Sequence, residues 1–100
     1  MRFAARVDGN QAAIVGGLRA CGASVQSLAP IGAGCADLLV GHRGRNWLME
    51  LKDPSKPPSA RKLTPAQVEW HRTWCGQVAV VETVEQAIAL LVGPEPEGAR

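Results

Sequence analysis

Three side chains of this sequence could do chemistry together: Asp37, Glu50 and Lys52. Residues two apart in a strand project to the same face, so Glu50 and Lys52 share one face and Met49 and Leu51 share the other. Taken alone, such a pair is more often a solvated strand face. If Asp37 lies beside Glu50, however, the two carboxylates repel unless a cation such as Mg²⁺ lies between them. Lys52 could then orient or deprotonate a water that attacks a phosphate, which is metal-assisted phosphodiester hydrolysis.

A β-hairpin has to position these groups. A short apolar run at 38–40 follows a glycine-rich loop, and a polar segment around Gly44 reverses the chain before a second run at 46–52. The glycines of the loop at 30–34 could let its backbone approach DNA closely, or could simply form a flexible connection. The pattern predicts a strand, a turn and a strand, with Asp37 at the opening of the first strand and Glu50 on the second.

The remaining segments complete an α/β pattern. An apolar stripe of Ile14, Val15, Leu18 and Cys21 predicts a helix from about 9 to 21, with Asp8 as its N-cap. A strand at 24–28 precedes the hairpin. A second helix starts at Thr64, with Gln67 completing a capping box, and ends at Gly76. A strand at 77–81, expected to be buried on both faces, and a helix at 84–92 follow. The order predicts one domain over 1–92 with a mixed sheet, and a disordered tail over 93–100.

Cysteine usage and hydropathy bound the class of protein. Three cysteines at irregular spacing do not suit a zinc site or a disulfide framework, and buried or half-buried thiols in a reducing cytoplasm explain them. The N-terminus lacks the apolar run of a secretion signal, and no stretch approaches the length that spans a membrane. These features predict a cytoplasmic protein without a membrane partner.

Positive charge is concentrated in the middle of the chain. The net charge is only +2, but seven of the 11 Lys and Arg residues lie between 43 and 72, against three acids. Such a surface attracts a phosphate backbone, although a solvated basic face is the common alternative. The loop at 53–63 is basic, contains three prolines and is a candidate lid or DNA-engaging flap. The expected DNA contacts are Arg43, Arg45, Lys56, Arg61 and Lys62.

The ordered set of Asp37, Glu50-Leu51-Lys52 and Leu63-Thr64-Pro65-Ala66-Gln67 resembles the PD-(D/E)XK nuclease superfamily, and more closely its VRR-NUC branch. The resemblance implies a restriction-endonuclease-like αβββαβα sandwich with a central mixed sheet. It implies that Asp37, Glu50 and the Leu51 carbonyl bind Mg²⁺ or Mn²⁺ and that Lys52 is catalytic. Gln67 matches a glutamine of the family, which could bind the attacking water or Lys52; a helix-capping role is an equal alternative.

Two positions depart from the family pattern. The chain has Cys35-Ala36 before Asp37, where the family favours proline next to the aspartate, and this should alter loop rigidity more than chemistry. Many relatives place a glutamate on the first helix, where this chain has Gln11. An amide can reach a metal-bound water or a phosphate, but it adds no charge, so the affinity for the metal should be lower.

The resemblance implies a metal-dependent DNA endonuclease of phage or bacterial type, selective for branched or junction DNA as in Holliday-junction resolvases and located in a bacterial host cell. A homodimer is also expected, because paired cuts in two strands need two active centres and one such domain offers one. The alternative is a catalytically silent DNA-binding module of the same fold. A third interpretation is an interaction protein that binds another protein through its tryptophan-containing helix. His42, His71 and the three tryptophans are expected to pack or lie in solvent rather than react.

Overall fold

A computed structural model describes residues 9–93 of the chain. The predicted tail beyond Gly93 lies outside this range, as does Asp8; the N-cap of the first helix is Asn10, so the prediction of Asp8 as its N-cap is wrong. The elements are, in chain order, α1 (Gln11–Ala20), β1 (Ser24–Ser27), β2 (Leu38–His42), β3 (Arg45–Leu51), α2 (Pro65–Thr73), β4 (Ala79–Val81) and α3 (Val84–Val92), with single 3-10 turns at Ala29–Ile31 and Pro58–Ala60. This order of helices and strands is the predicted one.

Within the described residues the strands form one mixed sheet in the order β1-β2-β3-β4. The first three strands are antiparallel to their neighbours, and β4 runs parallel to β3. In the β2–β3 hairpin, His42 pairs with Arg45. Arg43 and Gly44 between them both have positive φ, at 52° and 79°. A type I′ two-residue hairpin turn has this conformation at both positions, so the predicted reversal at Gly44 is confirmed.

The core lies between one face of the sheet and the helices α1 and α3. Trp47, Met49 and Leu51 of β3 enter this core, so the strand's alternation turns Glu50 and Lys52 to the opposite face, as predicted. Helix α2 lies on that opposite face, where its side chains contact those two residues. The buried core residues are Ile14, Leu18, Ala23, Leu38, Val40, Trp47, Met49, Leu51, Val81, Ala87 and Leu91.

Strand β4 is shorter and more exposed than the sequence predicts. It covers three residues rather than five, and Val80 is 49% exposed, so the expectation of burial on both faces is wrong. The reason is its position at the edge of the sheet. Gln77 precedes the strand and continues its pairing through a side chain: its Oε1 accepts from Leu48 N at 2.7 Å and its Nε2 donates to Leu48 O at 3.2 Å.

Helix α2 ends at Thr73, before the predicted stop at Gly76. Trp74 leaves the helical conformation, with φ −74° and ψ 119°. Its indole stacks on Trp70 with ring centroids 4.8 Å apart, and its Nε1 donates to Gln77 O at 3.1 Å. These contacts fold the tryptophan back over the chain that follows, which ends the helix early.

Two of the three cysteines differ from the expectation of buried or half-buried thiols. Cys21 follows α1 and is exposed, Cys75 is exposed, and only Cys35 is half-buried. The apolar stripe of α1 therefore ends at Leu18. No helix among residues 9–93 has the length and apolar composition needed to cross a bilayer.

Candidate active site

The carboxylate of Asp37 is fixed against the end of β3. Asp37 lies one residue before β2, and its backbone N donates to Met49 O at 3.1 Å. Its side-chain Oδ2 accepts from Leu51 N at 2.7 Å. The N–H and C=O of a strand residue point to the same side, so the Leu51 carbonyl also faces the side of Asp37. The predicted carboxylate and carbonyl ligands therefore lie on one side of β3.

Glu50 lies beneath α2 and is 1% exposed. Its Oε2 accepts a hydrogen bond from Gln67 Nε2 at 3.0 Å and lies 3.9 Å from Lys52 Nζ. A buried carboxylate is costly unless it is hydrogen-bonded and compensated by charge. The contacts from Gln67 and Lys52 supply both, so the predicted glutamate and lysine do lie together.

Lys52 is held at its side chain and its backbone. Its Nζ donates to Gln67 Oε1 at 2.8 Å, and the side chain is 9% exposed. Its backbone N donates to Val81 O at 3.0 Å, while its carbonyl accepts from Asn10 Nδ2 at 3.1 Å. The β4 strand and the start of α1 therefore fix the end of β3, and Gln67 fixes the ammonium group.

Gln67 serves both roles that the sequence left open. It completes the capping box of α2: its backbone N donates to Thr64 Oγ1 at 3.2 Å, and its Oε1 accepts from Thr64 N at 2.9 Å. The same Oε1 accepts from Lys52, while Nε2 donates to Glu50. One amide thus starts the helix and joins the two charged side chains.

The glycine-rich loop holds α2 in place, which neither interpretation of its glycines predicts. Gly34 has φ +81°, and a Cβ there would overlap the Ala66 carbonyl and lie 3.0 Å from Gln67 N. Only glycine fits both the conformation and the space. The loop backbone therefore packs directly on the first turn of α2 and brings Gln67 to the sheet.

Sequence reasoning missed His71 as a site residue. Its Nε2 lies 3.7 Å from Glu50 Oε1, and its side chain is 16% exposed. The packing role expected for it is present as well, since Trp70 contacts the ring edge-on with centroids 5.6 Å apart. The available signal was its spacing, because residue 71 is four after Gln67 and so lies on the same helix face.

Gln11 lies on the first turn of α1, next to this end of the sheet. The preceding Asn10 donates through Nδ2 to Lys52 O and to Glu82 O, at 3.1 and 2.8 Å, which places the helix start at the ends of β3 and β4. The Oε1 of Gln11 is buried and has no hydrogen-bond partner among the described residues. It is an oxygen donor available to a ligand that enters this end of the sheet.

The five predicted DNA-contacting residues fall into two groups. Arg43 and Arg45 lie at the hairpin tip, which the length of β3 separates from Leu51 by about 20 Å. Arg45 lies over the Trp47 ring at 4.8 Å and donates to Leu91 O at 3.3 Å, on the α3 side of the sheet. The structure does not bring these two residues to the site.

The other three, Lys56, Arg61 and Lys62, belong to the proline-containing loop between β3 and α2, directly after Lys52. This loop has contacts within itself and with Glu82, which follows β4. Asp53 accepts from the Ser55 hydroxyl and backbone, which lowers the pKa of the Asp53 carboxyl, and Arg61 Nη1 lies 3.9 Å from Glu82 Oε2.

The donor set suits a hard divalent ion. Asp37, Glu50 and the Leu51 carbonyl offer oxygen atoms, and Mg²⁺ needs only one or two carboxylates because it keeps several waters. No group of three or more His, Cys, Asp and Glu side chains within residues 9–93 is arranged to hold a metal. The buried, unsatisfied oxygen of Gln11 fits the same preference for oxygen.

The pKa of the Cys35 thiol reflects the electrostatic potential near the two carboxylates. Burial raises the pKa of its thiol, and the Glu50 carboxylate and then Asp37 raise it further, against a lowering by the Ala36 backbone N–H. The thiol is therefore neutral at physiological pH and is a poor ligand there, because a thiolate is the form that binds metal. After burial, the carboxylates of Glu50 and Asp37 both raise this pKa, so negative potential reaches the thiol, as is expected next to a cation site.

Comparison with known proteins identifies the family. No protein-family model and no curated protein matches the chain. A solved structure titled "VRR_NUC domain" matches with 30% sequence identity and a TM-score of 0.56, over 80% of this chain and 87% of that one. The α/β architecture with its mixed four-stranded sheet agrees with the restriction-endonuclease-like fold of that relative. The chain belongs to the VRR-NUC family and is a nuclease-type domain.

Proposed function

We propose that this protein is a Mg²⁺- or Mn²⁺-dependent endonuclease that hydrolyses phosphodiester bonds in DNA. The observation that carries the proposal is the Gln67 amide, which joins Glu50 to Lys52 on the face of β3 next to Asp37. A purely structural strand face would leave these groups in water, whereas here Glu50 and Lys52 are both buried. Family membership supports the same chemistry.

The side chains divide the work. Asp37, Glu50 and the Leu51 carbonyl would hold the ion. When bound, the ion would polarise the phosphate and lower the pKa of a water. Lys52 keeps its ammonium group on Gln67 Oε1, at 2.8 Å, where it can orient the attacking water and hold charge next to the phosphate. Gln67 limits the rotation of Lys52 and Glu50 together, so that both groups are preorganised before substrate arrives.

The test is cleavage of branched and linear duplex DNA with and without Mg²⁺ or Mn²⁺. Asp37→Asn, Glu50→Gln and Lys52→Met should each abolish cleavage while the protein remains folded. Glu69→Gln is the matched control, since Glu69 is an exposed glutamate of α2 paired with Arg72. Full activity of Glu50→Gln would refute the assignment.

The substrate proposal is structure-selective cutting of branched or junction DNA by a homodimer. Paired cuts in two strands need two active centres, and one chain of 100 residues offers one. Lys56, Arg61 and Lys62 would contact the phosphate backbone near the site, and Arg43 and Arg45 would contact it further along. Light scattering at micromolar concentration tests the dimer, and a monomer contradicts it.

A catalytically silent DNA-binding module is the second candidate function. Gln11 favours it, because this position provides an amide rather than an additional carboxylate for an ion. Calorimetric titration with Mn²⁺ separates the two functions. Binding that Asp37→Asn abolishes supports the nuclease, whereas no binding together with salt-sensitive DNA affinity supports the module.

A further inference from the structure

We infer that His71 is a positioning residue for Glu50, so that α2 holds both oxygens of the buried carboxylate. The inference rests on the proposed function, because it assigns His71 a part in presenting Glu50 to a metal ion. The motivating observation is that two side chains of one helix face opposite oxygens of the same carboxylate.

The geometry follows from helical spacing. Gln67 and His71 are four residues apart and therefore lie one above the other on the face of α2 that meets the sheet. Gln67 Nε2 donates to Glu50 Oε2 at 3.0 Å, and His71 Nε2 lies 3.7 Å from Glu50 Oε1. That second distance is longer than a direct hydrogen bond, and we expect it to shorten when the site binds its ligand. Active-site contacts often tighten in this way when substrate binds.

The imidazole is placed to face Glu50 rather than solvent. Its Nε2 is buried and has no hydrogen-bond partner among the described residues, so the carboxylate is the group it faces. Trp70 contacts the ring edge-on at an interplanar angle of 72°, and Trp74 stacks on Trp70 at 13°. This row of rings limits the rotation of His71 and gives the tryptophans a role beyond packing.

Contacts from Gln67 at one oxygen and His71 at the other fix the plane of the Glu50 carboxylate. Each carboxylate oxygen has two lone pairs, so an oxygen that accepts from α2 can still bind an ion. Ligating carboxylates are commonly oriented by such outer hydrogen bonds, and loss of one typically costs ten- to a hundredfold in metal affinity or activity. His71 therefore influences the metal without touching it.

The experiment compares variants of the full chain by calorimetric titration with Mn²⁺ alone. His71→Ala should weaken binding about tenfold. His71→Gln should restore most of it, because a glutamine amide can reach the position of the imidazole Nε2. The control is His42→Gln, at the far end of β2, which should bind Mn²⁺ like the wild type. In cleavage assays His71→Ala should lower kcat and leave KM for DNA unchanged.

Two results would overturn the inference: wild-type Mn²⁺ affinity in His71→Ala, or failure of His71→Gln to restore binding although it is folded by circular dichroism. A metal-free measurement distinguishes failure of the His71 inference from failure of the proposed nuclease function. The imidazole nitrogen resonances of His71, assigned with His42→Gln, should shift between wild type and Glu50→Gln. If the protein neither binds Mn²⁺ nor cuts DNA, the nuclease proposal fails, and this shift still decides whether His71 contacts Glu50.

Discussion

Replacing Gln67 by alanine tests whether its side chain joins the charged pair or merely starts a helix. The variant loses three side-chain hydrogen bonds, to Glu50, Lys52 and the Thr64 backbone. Bonds to charged groups contribute about 1.5–3 kcal/mol each, and Gln67 is half-buried, so water can replace part of the loss. We expect the free energy of unfolding to fall by about 3 kcal/mol.

Thr64→Ala is the matched variant for the capping role. It removes the hydroxyl that accepts from Gln67 N at 3.2 Å and leaves the contacts of Gln67 with Glu50 and Lys52 in place. Loss of such a cap costs about 1 kcal/mol. Gln67→Glu provides a second comparison. It keeps an oxygen for Lys52 but sets a carboxylate against Glu50, so it should destabilise more than Thr64→Ala.

Urea denaturation followed by tryptophan fluorescence measures these differences, because Trp70 and Trp74 lie on and next to α2. The midpoint should shift while the dependence on urea concentration stays constant, which identifies a change of stability rather than of unfolded-state compactness. Equal losses for Gln67→Ala and Thr64→Ala would refute the reasoning, since Gln67 would then act as a cap alone.

Three further predictions follow from other contacts of the site. Gly34→Ala should destabilise the protein by about 2–4 kcal/mol and lower its Mn²⁺ affinity, because the alanine would have to adopt the left-handed backbone conformation of Gly34 and its Cβ would overlap α2. Urea midpoints measure the loss of stability, and a stability like the wild type's would contradict the prediction. Cys35 should react with iodoacetamide at pH 8 more slowly than exposed Cys21, since its raised pKa leaves less thiolate, and faster as the pH rises or in Glu50→Gln; equal rates for the two cysteines in the wild type would argue against this. Gln11→Glu should lower the thermal unfolding midpoint in EDTA, because it buries a further carboxylate, and Mn²⁺ should raise that midpoint again. A midpoint that does not change on adding Mn²⁺ would show that residue 11 does not reach the ion.

The parts of the site that follow from local pattern were predictable. Strand alternation alone places Glu50 and Lys52 on the face opposite Met49, and the Thr64–Gln67 spacing alone predicts the capping box. Both are confirmed. Their physical causes act over two to four residues, which a single sequence displays directly.

The parts of the structure that depend on how helices and strands pack together were not predictable from the sequence. Periodicity does not reveal that Val80 lies on an edge strand, because that depends on which strands have neighbours. The facing of His71 toward Glu50 depends on the rotation of α2 about its axis, which the contact of Gly34 with Ala66 helps to set. That contact joins residues 32 apart in the chain, and no local signal encodes it.

None of the nine described residues of α2 is fully buried, although the helix covers a carboxylate that is. Helix α2 therefore covers Glu50 without burying its own residues. The Gln67 side-chain amide both caps the helix and binds Glu50 and Lys52. Fraying of its first turn and exposure of Glu50 to water are consequently one local opening event. Amide hydrogen exchange along α2 would report that event directly, and slower exchange on adding metal would measure how strongly ligand binding and helix formation are coupled.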